Sequence, residues 1–314
     1  NTKIKNNDLC CTQLFGLNDY FNDFVELYNN RKLPKVILLT GEKGIGKFTL
    51  SFHLINYFLT LNTNNPYNKT YNTINENNQV YKNILANICD NYHYISNYHN
   101  SISVEDVRNL KKKFSKTSIN TLPRFTVIDD VEKLNKNSAN ALLKLIEEPS
   151  DFDFFILIYN KSQLLIETIK SRSLETKIFL SKQKKNEIFN NLKNFFNVND
   201  NFVIKYKSYI GPGTLIKFIN YIETLDNFEE KNFYDFSLIL LDQFKKTKDK
   251  TYVEFIKLLV EVNFYNILKK NSSEILKITE VKNNIMKLLY QYQNFNLSNN
   301  AVLEYFKMYS SYVR

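Results

Sequence analysis

The segment Val36-Ile37-Leu38-Leu39-Thr40-Gly41-Glu42-Lys43-Gly44-Ile45-Gly46-Lys47-Phe48 decides the fold. Its first five residues are a short apolar, β-branched run, as expected of a strand covered on both faces. The next seven satisfy the pattern G-x-x-x-x-G-K, and an apolar helical periodicity follows over 48–61. Strand, glycine-rich turn and helix in that order make a phosphate loop. Backbone N–H groups turn inward around an anion, the helix N-terminus adds partial positive charge, and the lysine reaches the β- and γ-phosphates. Gly41, Gly44, Gly46 and Lys47 are therefore the candidate nucleotide-binding residues. The pattern calls for Ser or Thr after the lysine, because that hydroxyl ligates Mg²⁺. Phe48 stands there, and Thr49 comes one place late, about 100° further round a helix. The loop is thus expected to need no cofactor, to hold at most an idle ATP or ADP, and to hydrolyse poorly.

Working outward, further short apolar runs at 93–95, 125–128, 154–159 and 178–180 predict strands, with helical patterns between them. Ser103-Val104-Glu105-Asp106 reads as a capping box with Asp in the acidic place. Helices are predicted over 138–147 and, capped by Ser162, to about Lys170. The Asn/Thr-rich stretch 62–79 reads as a loop or a partly ordered insertion. Strands alternating with helices imply a parallel α/β sheet covered on both faces. Beyond residue 181 the strands stop and helical periodicity takes over. The expected organisation is a P-loop α/β domain over 1–181, a small helical lid over 182–222, and an all-α C-terminal domain over 223–314.

The chain has 314 residues, enough for two or three domains. Its formal net charge is +10, which suits an acidic partner such as nucleic acid, although Lys abundance alone produces part of it. Cys10, Cys11 and Cys89 offer neither a zinc spacing nor a disulfide framework, so no zinc and a reducing compartment are expected. No apolar run is long enough for a membrane span, and no signal peptide is visible, so a cytoplasmic location is expected. There are six glycines, four alanines and five arginines, and three of the glycines lie within Gly41–Gly46. Against that scarcity, Asp129-Asp130 closing one strand, Asn160 closing another, and Ser171-Arg172-Ser173 stand out as candidates for chemistry.

The stretch IDDVEKLNKNSANALLKLIEEPSDFDFFILIYNKSQLLIETIKSRS, over residues 128–173, resembles the clamp-loader branch of the AAA+ proteins, and in detail its bacterial delta-prime subunit class. Leu14-Phe15-Gly16 resembles that family's opening box, and the similarity covers roughly residues 13–220. The resemblance implies an AAA+ sheet domain, a lid and a helical collar. It implies that Asp129 is the metal-orienting acid and that Asp130 replaces the Glu which positions water. Asn160 falls at the sensor-1 position. Gly211-Pro212-Gly213 falls where active subunits carry a sensor-2 arginine, and no arginine lies nearby. Ser171-Arg172-Ser173 matches the Ser-Arg-Cys motif, whose arginine enters a neighbour's ATP site. The implied role is a non-hydrolysing stator in DNA replication. It would donate Arg172 in trans, with gamma/tau-like ATPases and delta as partner subunits and the sliding clamp and primed DNA reached through the complex. Two other readings are an active loader ATPase with Thr49 as a displaced metal ligand, and a helicase loader acting on DNA directly.

Overall fold

The computed structural model describes residues 11–96, 102–114, 122–196, 210–223, 233–248, 251–270, 275–295, 302 and 304–306; Cys10 lies outside them. The chain forms two compact units, one of residues 1–197 with 210–215 and one of residues 198–209 with 216–314. The first is built from α1 (Asn18–Asn29), β1 (Val36–Thr40), α2 (Lys47–Thr60), α3 (Gln79–Leu85), β2 (Tyr92–Ile95), α4 (Val104–Phe114), β3 (Arg124–Asp129), α5 (Lys136–Ile146), β4 (Asp153–Tyr159), α6 (Glu167–Lys170), β5 (Leu174–Lys177) and α7 (Lys182–Phe196). The α8 helix (Pro212–Glu223) begins in this unit and continues into the other.

The five strands pair in the order β2-β3-β4-β1-β5, and every pairing is parallel. The apolar run of β1 is buried at all five positions, and its alternation feeds two separate layers. Ile37 and Leu39 join Leu50, Leu54 and Phe58 of α2 and Phe21 and Phe24 of α1 on one face. Val36 and Leu38 join Val107 of α4, Leu142 and Ile146 of α5 and Ile169 of α6 on the other. Each fully buried Leu, Ile or Phe contributes about 1.5–3 kcal/mol, so a doubly covered sheet is the main source of stability here. At the N-terminal ends of β3 and β4, Arg124 forks onto Asp153, with Nε to Oδ1 at 2.6 Å and Nη2 to Oδ2 at 3.0 Å. Ser150 Oγ donates to the same carboxylate at 2.7 Å.

Three local expectations change. The last strand is Leu174–Lys177, not 178–180. It is a mostly exposed edge strand, so no apolar alternation marks it, and backbone pairing with β1 fixes its register. Ile178 and Leu180 are buried beyond its end, while Phe179 is exposed. Ser162 caps no helix: α6 starts only at Glu167, after an N-cap Ile166 that offers no side-chain bond. And the α5 helix begins at Lys136, because the Asn135 side chain accepts from Ser138 N at 2.9 Å. The capping box at the start of α4 is reciprocal, Ser103 N donating to Asp106 Oδ2 at 3.0 Å and Asp106 N to Ser103 Oγ at 3.1 Å.

The Asn/Thr-rich stretch is a loop up to the start of α3, pinned at Tyr67, Ile74 and Asn78, which are buried. Asn78 Nδ2 donates to Thr63 Oγ1 at 2.7 Å and to the carbonyls of Asn64 and Asn65, both at 2.9 Å. Leu14 N donates to Asn72 O at 3.0 Å and Ile74 N to Thr12 O at 2.8 Å, so the stretch also tethers the segment that precedes α1. His53 of α2 completes the tether from below, fully buried. Its Nε2 lies 3.0 Å from Cys11 O and its Nδ1 lies 2.8 Å from the Tyr67 hydroxyl. A carbonyl only accepts, so Nε2 carries the proton and Nδ1 accepts from Tyr67.

The second unit is helical. The later part of α8, α9 (Phe233–Thr247), α10 (Thr251–Lys270) and α11 (Ile275–Phe295) pack through Phe218, Phe236, Leu240, Phe255, Ile256, Leu259 and Leu289. The rings of Phe218 and Phe255 approach to 4.6 Å, and those of Phe244 and Tyr292 to 5.5 Å. Among the described residues no helix is long and apolar enough to cross a membrane.

Burial lowers the His53 pKa from 6.5 to about 4, the bond to Cys11 O opposing it only partly. The unfolded chain therefore takes up this proton more readily than the folded one. Stability held above the unfolded value is lost as pH falls from about 6.5 towards about 4. The loss amounts to about 3 kcal/mol. In urea titrations at successive pH values, His53→Gln should be less stable than wild type at neutral pH. The gap between the two should narrow as pH falls through that window. A constant gap would mean that His53 is not held neutral.

Candidate functional site

The register of the sheet brings the candidate residues to one edge. Thr40 at the end of β1 pairs with Tyr159 at the end of β4, and Asp129 at the end of β3 pairs with Ile158. The loops that leave these three strands carry Gly41–Gly46, Asp130 and Asn160. Loops at the C-terminal ends of parallel strands are where open α/β sheets bind ligands.

Lys47 opens α2 behind Gly46, which takes φ +96 as N-cap. Its side chain does not point out to solvent; the residue is 3% exposed. The Nζ donates to Gly41 O at 2.8 Å and to Glu42 O at 2.5 Å. Burial lowers the Lys47 pKa to about 8, against the opposing pull of Asp129, Glu132, Asp130 and Glu42. Phe48 turns its ring onto the core, 4.9 Å from Tyr94 and 6.1 Å from Phe52. The Tyr94 hydroxyl in turn reaches Asp129 Oδ2 at 3.5 Å. Where the pattern wants an alcohol on the helix, an aromatic pair lies under the acid instead. Thr49 is half-buried in the first turn of α2.

The acidic corner is tightly bonded. Asn160 Nδ2 donates to Asp130 Oδ1 at 2.8 Å and reaches Asp129 Oδ1 at 3.3 Å. Asp129 Oδ1 also accepts from Asp130 N at 2.9 Å, and Lys133 Nζ donates to Asp130 Oδ2 at 2.9 Å. Burial raises the Asp130 pKa, but Lys133 and Lys43, with hydrogen bonds from Asn160 and Lys133, outweigh it and hold the carboxyl below its usual value. Asp130 takes φ 55, a left-handed conformation that short polar side chains tolerate better than most.

The phosphate loop is roofed from within its own unit. Gly213 N donates to Gly44 O at 2.8 Å. Gly44 has φ +79, and a Cβ on it would meet Thr214 Oγ1 at 2.0 Å. Gly211 is as tight from the other side, since its Cβ would meet Lys43 O at 2.3 Å. Lys185 of α7, itself buried, forms an ion pair with the Glu42 carboxylate. Gly211-Pro212-Gly213, expected at a sensor-2 position, thus forms the lid of the loop.

These residues do not fit a magnesium nucleotide as arranged. Two of the three lysine donors go to loop carbonyls, a phenylalanine stands where the metal-binding alcohol belongs, and Thr214 lies against Gly44. Among the described residues no group of three or more His, Cys, Asp or Glu could hold a metal ion. Cys11 is a buried thiol, its pKa raised to about 11 by burial.

Arg172 belongs to a different cluster, at the C-terminal ends of α5 and α6. Its Nη2 contacts Glu147 Oε1 at 2.8 Å, and its Nη1 donates to Thr168 O at 3.2 Å. The side chain is 37% exposed, so Arg172 is not enclosed by these partners. Ser171 Oγ donates to Thr168 O at 3.1 Å and Ser173 Oγ to Ile169 O at 2.7 Å. The two serines thereby satisfy the carbonyls that the end of a short helix leaves open.

Several partners were not legible beforehand. Glu132 is 6% exposed and accepts from Asn160 N at 3.2 Å, Ser162 N at 3.1 Å and Ser162 Oγ at 2.8 Å. It clamps the loop after β4 to the acidic corner. An acid three places after a strand-ending Asp reads equally well as helix capping, so sequence alone does not mark it. Tyr94, Thr214 and Glu147 lie far in sequence from the residues they serve.

Gly44→Ala tests the roof. Left-handed backbone strain and overlap with Thr214 should together cost about 2–4 kcal/mol. A second change, Thr214→Ala, should recover part of that loss. Melting curves report both, and an unshifted melting temperature for Gly44→Ala would show that α8 does not pack on the loop.

A family model described as DNA polymerase III, delta subunit, matches residues 16–181. The DNA polymerase III subunit delta' of Buchnera aphidicola subsp. Schizaphis graminum is 28% identical over 265 residues, 84% of this chain and 76% of that protein. The DNA polymerase III subunit gamma of the same organism is 27% identical over 208 residues, 64% of this chain and 54% of that one. Among solved structures, a DNA polymerase III gamma subunit-related protein of Thermotoga maritima superposes with a TM-score of 0.54 at 16% identity. That alignment covers 93% of this chain and 99% of that one. It is a likeness of fold: a parallel α/β sheet covered by helices, followed by a helical unit. With more than half of its length matched, the chain belongs to the DNA polymerase III delta subunit family, as a delta-prime-like member.

Proposed function

We propose that this chain is the non-hydrolysing stator of a replicative clamp loader, supplying Arg172 to the ATP site of a neighbouring subunit. The observation that carries this reading is the contrast between its two clusters. The phosphate loop draws its own lysine inward, with two of the three Nζ donors on Gly41 O and Glu42 O. Arg172 keeps its side chain partly exposed, on an α6 terminus made firm by Ser171 and Ser173. A guanidinium neutralises the charge that builds on a transferring γ-phosphate and offers a planar fork that lysine lacks. An arginine that does not serve its own nucleotide is free to serve another.

The partners on this reading are gamma/tau-like ATPases and delta, with the sliding clamp and primed DNA engaged by the assembled complex. The delta' and gamma relatives support a loader subunit in DNA replication. Residues 182–222 would act as the lid and 223–314 as the collar. The chain itself requires no nucleotide, metal or zinc.

Two measurements test the proposal. Titration of the isolated chain with ATP and Mg²⁺ by calorimetry should give no heat of tight binding, whereas strong Mg²⁺-dependent binding would favour an active ATPase. In the complex, Arg172→Ala should leave assembly intact and slow the single ATP site it serves by at least ~1000-fold. The clamp- and DNA-stimulated turnover of the whole should then fall by at least that site's share. Unchanged turnover in a fully assembled complex would remove Arg172 from the reaction.

A further inference from the structure

The ion pair between Arg172 and Glu147 has a direction. Glu147 is the C-cap residue of α5, and its carboxylate takes the Nη2 edge of the guanidinium at 2.8 Å. Thr168 O, from the first turn of α6, takes Nη1 at 3.2 Å. Each acceptor uses one N–H, and arginine has five in a rigid plane, so donors remain on a group whose orientation is already set. Without Glu147 only Nη1 is held, by Thr168 O at 3.2 Å and more distantly by Ser171 Oγ at 3.5 Å, and the plane swings about it. The second anchor, on a different helix, removes that freedom. The two anchoring helices pack through the core layer that contains Leu142, Ile146, Leu165 and Ile169, so the acceptors share one rigid support.

We propose that Glu147 is a positioning residue for Arg172, orienting the guanidinium towards the γ-phosphate of a nucleotide held by a neighbouring subunit. This rests on the trans-acting role proposed above for Arg172. A pair as exposed as this one contributes little to folding, since Arg172 is 37% and Glu147 45% exposed. Its removal should therefore act on catalysis more than on stability. Holding a reactive group in the right place is worth far more than the bond that holds it, and a misplacement of about 1 Å can cost about 100-fold.

The experiment uses the chain reconstituted with its partner loader subunits, clamp and primed DNA, and measures steady-state ATPase against ATP concentration. Four variants are compared with wild type: Arg172→Ala, Glu147→Ala, Glu147→Gln, and the double change Glu147→Ala with Arg172→Ala. Glu147→Ala should lower the Arg172-dependent part of kcat roughly tenfold, with KM for ATP within about twofold of wild type. Glu147→Gln keeps length and acceptor and should retain at least about half of that activity. The double variant should match Arg172→Ala alone, because a positioning residue has no effect without the group it positions. An unchanged or raised kcat in Glu147→Ala would overturn the proposal, a rise showing that the pair holds the arginine back. A further loss on the Arg172→Ala background would overturn it too, by revealing a purely structural effect. If Glu147→Ala fails while Arg172→Ala still lowers turnover, only the positioning role falls. If Arg172→Ala is silent, the trans-acting role falls and takes this inference with it.

Discussion

A buried ammonium must have acceptors, and Lys47 finds them in the loop that it terminates. That single requirement organises the edge of the sheet where β1, β3 and β4 end. With Nζ drawn back to Gly41 O and Glu42 O, the loop closes on itself. The closed loop presents Gly44 to α8, whose first residues bond and cover it. Burial disfavours the charged lysine, and four surrounding carboxylates offset only part of that cost.

The same logic extends to the acidic corner. Here Asp129, Asp130 and Glu132 are satisfied by Tyr94, Lys133, Asn160 and Ser162. Buried polar groups left unpaired cost about 1–3 kcal/mol each, so these mutual bonds hold the corner in place. Phe48 packs beside the corner. Its ring adds apolar contact with Tyr94 and Phe52 at the place where an alcohol would otherwise sit. The polar network and the aromatic packing together make the edge of this sheet a rigid support.

Much of this was legible in the sequence, for an identifiable reason. The strands β1, β3 and β4 are buried on both faces, so their apolar runs are continuous and bounded. The glycines of the phosphate loop stand out because glycine is scarce. The edge strand β5 left no such mark, since Leu174, Glu175 and Lys177 are exposed and only backbone pairing defines it. Ser162 illustrates a second limit. A serine before a helical pattern reads as a cap, but a buried carboxylate thirty residues earlier claims both its N–H and its hydroxyl. Pairings of that kind arise from sheet register, which brings the ends of β3 and β4 together, and local sequence carries no trace of them. The pairing of Glu147 with Arg172 joins two helix ends and is equally absent from the local sequence.

The use of arginine follows the geometry of each site. Lysine dominates the cations of this chain, yet both arginines with defined multipoint contacts sit where a point charge would not suffice. Arg124 lays two parallel nitrogens on the two oxygens of Asp153, tying the starts of adjacent strands. Arg172 divides its nitrogens between a carboxylate on one helix and a carbonyl on another. A lysine in either place would keep the charge, but its ammonium rotates freely and cannot define a plane. At Arg124 that would loosen a strand junction. At Arg172 it would remove the difference between the side of the group that is held and the side that is offered, and on the proposed reading that difference is the function.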